Sequence, residues 1–427
     1  MSNDRGVNRS FVIILTTAVV AAALAISILA VLPGKKSVRL PGFLGDSVGG
    51  GGGVEVDGSV PGGDKVNAPL KYVPMFRGGA FRTGFYEGPG VAPTSEFLWK
   101  RETGGPLYSS PLVVEGRVCF GGSDGNIYAV DGRTGDELWR FRTGGKVFSS
   151  PAYGKGIVYV GSGDRVLYAI SAKAGGEVYR FETMDCVTSS PALYGGSVFF
   201  GSWDGNLYAV NEKKAEERWR FKTGDWILSS PAVESGVVYV GSNDDSLYAV
   251  LASSGELLWR FGTGGDVVSS PGICNGVVYF GSFDGFFYAV DALEGGFVWR
   301  FRAGGGVTSS PAISRGISKG GVGNGLGGKV YFGSLDGNLY ALDAVTGVEA
   351  WRFTTGGRVV SSPVVLGGTV LFGSDDGCLY TLEAETGSLL SKLKVGGAVK
   401  ASPAVVRTDS GFAVYFGGDD GFLYAVR

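Results

Sequence analysis

Histidine is absent from all 427 residues. That gap removes imidazole acid–base chemistry, Ser–His triads, zinc sites that need imidazole, and haem attachment through Cys-x-x-Cys-His. Cysteine is scarce: Cys119, Cys186, Cys274 and Cys378 lie far apart, with no Cys-x-x-Cys. Buried free thiols are the expectation, and sequence alone does not exclude disulfides. Charge is also sparse, at 18% of residues, and nearly balanced, for a formal net charge of −2. No basic footprint for nucleic acid is present.

What the chain has is glycine, 76 residues of it, and 12% aromatics. Many short strands joined by tight turns suit that composition, and disorder does not, because there is ample apolar surface to bury. Residues 1–10 form an N-terminal tail. Phe11–Leu32 then runs for 22 residues without a charge, enough to cross a bilayer of about 30 Å. An uncleaved transmembrane helix is the expectation, with a cleaved signal peptide as the rival reading. Arg5 and Arg9 before the segment nearly balance Lys35, Lys36 and Arg39 after it, so the positive-inside count hardly orients it. An extracytoplasmic body at the cell membrane is expected, since a single N-terminal anchor usually serves to export the domain behind it. Residues 33–72 read as a Gly-rich flexible linker, and residues 73–94 as a segment preceding the repeats.

Ser-Ser-Pro begins at Ser109, Ser149, Ser189, Ser229, Ser269, Ser309 and Ser361, and Ala401 opens an Ala-Ser-Pro variant. The spacing is 40 residues, except for one gap of 52 whose 12 extra residues fall within 314–329. A unit such as Asp266–Phe301 contains four short β-rich runs, "VVSSPGI", "VVYFGS", "FFYAVD" and "FVWRF", separated by Asn-Gly, Asp-Gly and Glu-Gly-Gly turns. Four antiparallel strands in about 40 residues make one propeller blade. The fold class expected over residues 95–427 is therefore all-β, an eight-bladed β-propeller of four-stranded antiparallel blades. The eighth unit ends at "GFLYAVR" without its last strand, and "SEFLWKRETGG" (Ser95–Gly105) precedes the first unit in matching register. Pairing of N- and C-terminal strands should close the ring. In the fourth strand, Trp99, Trp139, Tyr179, Trp219, Trp259, Trp299 and Trp351 share one phase, as large rings docking between blades. Ser391 breaks that column and predicts a weaker junction.

The unit Tyr128–Asp164 closely resembles the PQQ-like repeat, through its Thr-Gly turn, the Trp five residues after that Thr, a Ser-Pro pair and "VYVGS", with "LYAV" recurring in other units. The resemblance covers about Arg77 to Arg427, and "VPMFRGGAFRTGFY" (Val73–Tyr86) is similar to the segment that often precedes such propellers. It implies one of two branches. Quinoprotein dehydrogenases bind pyrroloquinoline quinone and calcium and carry a vicinal Cys-Cys disulfide and long chamber-building insertions. This chain has no Cys-Cys and one sizeable, Gly-rich insertion. Non-catalytic scaffolds, such as the lipoprotein of outer-membrane assembly, are the closer likeness, although the lipid-bearing Cys of that lipoprotein is missing here. The expectation is a monomeric, membrane-tethered, non-enzymatic scaffold for a protein or peptide, with no cofactor, metal or nucleic acid. A quinone- and calcium-dependent dehydrogenase and a glycan-binding propeller are the alternatives.

Positions fixed across the units serve the fold, and variable ones are free for specificity. Two variable positions fall in turns of one face: three residues before Ser-Ser-Pro, and just before the Asp-Gly turn. They hold Trp203, Trp226 and Phe283, with Phe286 nearby, as a candidate partner-binding aromatic patch. Arg358 and Asp375, with Asp419 and Asp420, occupy another sector. The Ser-Ser pairs, with no base beside them, are expected to hydrogen-bond turns and strand starts rather than to act as nucleophiles. The arginines after the docking tryptophans are expected on a solvated outer face.

Overall fold

Each blade begins with a short strand at the propeller axis, three residues long in six of the eight, and ends with a six-residue strand at the periphery. In the first blade these strands are Leu112–Val114, Arg117–Gly121, Asn126–Asp131 and Glu137–Arg142. The computed structural model describes Phe76, Gly79, Ala80, residues 82–86, 96–314, 328–408 and 411–427. The expected tail, anchor and linker lie outside the described residues, as do most of 73–94 and the interior of 314–329. The ends of that insertion are pinned by Ser314, whose N–H donates to Lys329 O at 2.9 Å and whose Oγ accepts from Lys329 N at 2.9 Å.

Eight such sheets follow one another, all antiparallel within the blade. The two middle strands are sandwiched between neighbouring blades, which explains why "VYFG" and "LYAV" are nearly continuous apolar runs: most of their residues are buried. The outer strand has only one blade face to cover, and its burial alternates.

The eighth blade is assembled from both ends of the chain. Phe97–Glu102 pairs antiparallel with Phe422–Val426, with Trp99 opposite Ala425 and Arg101 opposite Leu423. Arg101 stands where most other outer strands carry Phe, and it replaces that apolar contact with an ion pair of 2.6 Å to Glu137 on the next blade.

The docking column is a set of matched contacts. Each indole N–H donates to a carbonyl in the third-to-fourth-strand turn of the following blade, for example Trp139 to Ala172 O at 2.9 Å and Trp259 to Ala292 O at 3.1 Å. Against the indole ring sits the glycine of that turn. A Cβ on Gly175 would come within 2.6 Å of Trp139 and one on Gly347 within 2.5 Å of Trp299, so the large ring requires the missing side chain. The smaller Tyr179 faces the turn that carries Ala215 at the equivalent place, and its hydroxyl donates to Asn211 O at 3.0 Å. Ser391 precedes the eighth blade, whose third and fourth strands are not consecutive in the chain. No hairpin turn exists there for an indole to cover, so this junction has no need of one.

Two features close the axis. The second serine of each Ser-Ser pair accepts from the backbone N–H of its counterpart one blade earlier, from Ser110 to Ser150 Oγ at 2.9 Å through Ser362 to Ser402 Oγ at 3.0 Å. Ser402 to Ser110 Oγ completes an eight-membered circle at 3.0 Å. Beside it lie the described residues of the pre-propeller segment. Ala80 O accepts from Val233 N, Thr83 O from Ile313 N and Gly84 O from Val365 N, all at 2.8–2.9 Å, bonding the segment to three blades. Phe85–Tyr86 then adds a parallel fifth strand to the seventh blade, with Phe85 opposite Val365. Arg82, almost wholly buried, donates to Ser190 O at 2.8 Å and to the carbonyls of Pro191 and Pro231.

Candidate functional site

The face formed by the second-to-third-strand turns and the links between blades carries both variable positions. Within every blade they are tied by one backbone bond: Trp203 N to Cys186 O, Asn243 N to Trp226 O, Phe283 N to Asp266 O and Asp375 N to Arg358 O, each at 2.9 Å. The rim is thus a rigid circle on which only side chains differ.

Trp203, in the third blade, stacks on Trp226 in the fourth, with ring centroids 4.7 Å apart and planes at 16°. The Trp203 indole N–H donates to Thr188 Oγ1 at 2.8 Å, which fixes the pair. Trp226 remains 45% exposed, whereas the docking indoles of the same chain, such as Trp139 and Trp259, are 8–9% exposed. Phe283 is also exposed and lies beside Gly306, whose absent Cβ leaves room for Phe283 and Leu335 on either side. Phe286 does not join the rim: it packs beneath Arg300 and Arg302, 4.4 and 5.3 Å from the ring centroid. In the other sector Arg358 pairs with Asp375 at 2.7 Å and Lys400 with Asp419 at 2.6 Å.

Asp420 is not a rim carboxylate. It belongs to a repeated staple in which the Asp of the Asp-Gly turn accepts from a Tyr hydroxyl four residues on, as Asp284 from Tyr288 at 2.7 Å and Asp420 from Tyr424 at 2.5 Å. In seven blades the same carboxylate also accepts a backbone N–H from the link entering the blade, as Asp284 does from Gly264 at 2.8 Å. Burial alone would raise the carboxyls of Asp124, Asp336 and Asp376, yet the tyrosine and backbone donors outweigh it and hold them below the usual range. The outer-face arginines are likewise engaged: Arg140, Arg180, Arg220 and Arg352 pair with a Glu three residues earlier and lie over a Tyr ring.

One ring of site residues escapes the sequence reading. The position just before Ser-Ser-Pro holds Tyr108, Phe148, Thr188, Leu228, Val268, Thr308, Val360 and Lys400, all half-buried. Tyr108 approaches Phe148 at 5.5 Å and Lys400 lies 5.2 Å from the Tyr108 ring centroid, so this position forms the inner wall of the mouth. Its variability beside a nearly constant Ser-Ser was the available signal. The four cysteines are free thiols; Cys186 lies at the rim, where burial and then Asp185 push its thiol up.

The family described as outer membrane protein assembly factor BamB matches residues 91–149, 123–228, 204–322 and 304–427. The chain belongs to this family of PQQ-like propellers. No curated relative matches it. Among solved structures, quinohemoprotein alcohol dehydrogenase from Comamonas testosteroni is similar at a TM-score of 0.70 and 18% identity, over 84% of this chain and 81% of that one. BamB from Moraxella catarrhalis is similar at 0.62 and 16%, over 78% of this chain and 99% of that one. A europium-containing methanol dehydrogenase is similar at 0.70 and 14%, over 84% and 98%. At such identities the likeness is one of fold, shared by scaffold and dehydrogenase alike.

Proposed function

We propose that this PQQ-like propeller is a membrane-tethered, non-enzymatic scaffold of the cell envelope that docks a segment of a partner protein on its Trp203–Trp226 rim. The observation that carries the reading is the exposed, stacked indole pair. The docking indoles pack between blades, four of them 8–9% exposed; here the chain holds one half in solvent. Large, rigid aromatics in that setting are the usual anchors of interfaces. The Trp226 indole N–H has no partner among the described residues and is available to a partner carbonyl.

Four observations weigh against a quinone–calcium pair at the mouth. The repeated Asp-Gly carboxylates are committed to Tyr hydroxyls and backbone N–H groups. Among the described residues no set of three or more His, Cys, Asp or Glu is arranged to hold a metal ion. The inner wall offers one cation, Lys400, already paired with Asp419. The thiol at the rim is pushed up rather than activated.

Crosslinking and mass spectrometry in native membranes test the scaffold reading. Protein crosslinks should cluster on the Trp203–Trp226 face and disappear in Trp203→Ala/Trp226→Ala. Unchanged crosslinks in the double variant would overturn it. Turnover of an alcohol in a dye-linked assay with pyrroloquinoline quinone and Ca²⁺ would favour the dehydrogenase alternative, and capture by a glycan array the lectin-like one.

A further inference from the structure

The rim charges are distributed unevenly. Asp375 and Asp419 each have their own cation. Asp266 has none among the described residues: its Oδ2 accepts only the amide of Asn243, at 2.9 Å. Asn243 in turn is bonded through its backbone to Trp226, and its side-chain Oδ1 is buried without an acceptor's usual donor. Asp225 lies on the other side of Trp226, its carboxylate held by the Trp226 N–H at 2.7 Å. The Asp225 carbonyl accepts from Ser242 Oγ at 3.3 Å, next to the Asn243 that holds Asp266, and burial first, then the charges of Asp245 and Asp225, push the Asp266 carboxyl up.

Asp245 bears a conformational cost for being there. It sits at φ 61°, in the turn position that six of the eight blades give to Gly. A side chain is disfavoured in this region because its Cβ crowds the following carbonyl oxygen. Six blades place Gly there, and this one instead adds a further negative charge that acts on Asp266.

From this we infer that the rim sector around Trp226 recognises a cationic side chain, arginine above all, on the docked polypeptide. The inference rests on the scaffold reading and deepens it. A guanidinium stacks on an indole face and donates in a planar fork to carboxylates. Trp226 supplies the exposed face, stiffened from behind by Trp203. Asp225 and Asp266 supply acceptors, with Asp245 adding to the local negative charge. A neutral apolar segment would cover the Asp266 carboxylate without supplying a counter-ion, a direct penalty against it.

The test uses the purified propeller and two acetylated, amidated octapeptides of Gly and Ser, one with a central Arg-Arg pair and one with two norleucines. Binding is read by tryptophan fluorescence and calorimetry. The arginine peptide should bind at least about ten-fold more tightly than the norleucine peptide, and more weakly as NaCl rises. Asp266→Asn should weaken it about ten-fold and Trp226→Ala abolish it. Arg358→Gln, in the opposite sector, should leave it unchanged, which separates a local site from bulk negative charge. Equal or tighter norleucine binding would overturn the cation inference while leaving a peptide-docking rim. Binding of neither peptide would also overturn it, and the native-membrane crosslinks would then judge the scaffold reading independently. Melting curves of each variant confirm the fold.

Discussion

Ser402 donates its backbone N–H to Ser110 Oγ at 3.0 Å across 292 positions of sequence. This bond is the last of the eight that circle the axis. It can form only if the eighth blade lies beside the first, which the strand Phe97–Glu102 achieves by pairing with Phe422–Val426. Inner circle and outer clasp therefore depend on each other. Deleting residues 96–104 should lower the melting temperature by at least about 10 °C, through lost burial and ring opening. Scanning calorimetry of the truncated protein checks this, and an unchanged melt would mean that closure does not depend on the clasp.

The docking column makes a prediction about pairs. Trp rings face Gly, and Tyr179 faces the turn holding Ala215. Tyr179→Trp alone should crowd Ala215 and destabilise by about 1–3 kcal/mol. Tyr179→Trp with Ala215→Gly should recover most of that loss, giving a favourable coupling energy in a double-mutant cycle. Additive effects in denaturant unfolding would show that the match is incidental.

Arg82 bonds the axial segment to carbonyls of two blades. Arg82→Met keeps much of the length and removes the donors, leaving buried carbonyls unpaired at about 1–3 kcal/mol each. Thermal stability should fall, and the segment around Arg82 should become accessible to limited proteolysis. Resistance equal to that of the parent protein would show that backbone bonds alone hold the segment.

Acid sensitivity should come from the staples. The folded carboxyls of Asp124, Asp336 and Asp376 lie below their ordinary value, after the tyrosine and backbone donors outweigh burial. Such groups contribute stability that is present above the unfolded value of about 3.9 and is lost as pH falls through the folded values. Melting temperature should therefore drop steeply below about pH 4. Asp376→Asn should lower stability at neutral pH and flatten the acid limb. A limb of unchanged steepness would assign acid sensitivity to other groups.

Two second-to-third-strand turns place a non-Gly residue at the positive-φ position, Arg165 and Asp245. Replacing either by Gly should stabilise the fold by about 1 kcal/mol. Only Asp245→Gly should also weaken the arginine peptide. Equal effects of the two variants on binding would detach Asp245 from the site.

The architecture was legible in the sequence because the propeller writes its physics locally and eight times over. Period, turn residues and the Trp column each recur at 40-residue spacing. Even the clasp was legible, since Trp99 keeps register with Trp139. The rim was legible in part. Comparing units exposed Trp203, Trp226 and Phe283, but Phe286 belongs under Arg300, because one position along a strand changes which face a side chain meets. The inner-wall position escaped, since variability next to Ser-Ser does not say whether a residue points at the axis or into a blade.

By itself, then, the sequence determined the blade count, the strand pattern, the closure by paired termini and the places where variation is permitted. All of these follow from hydrophobic periodicity and turn chemistry, which act between near neighbours. The tertiary structure alone decided the rest: that Ser391 lacks an indole because no turn lies opposite it, that Arg82 is buried against carbonyls of two blades, and that Trp203 stacks on Trp226 beside Asp225. Those are relationships between blades. Their energies depend on which groups share a buried or charged space, and that sharing is set only when the ring has closed.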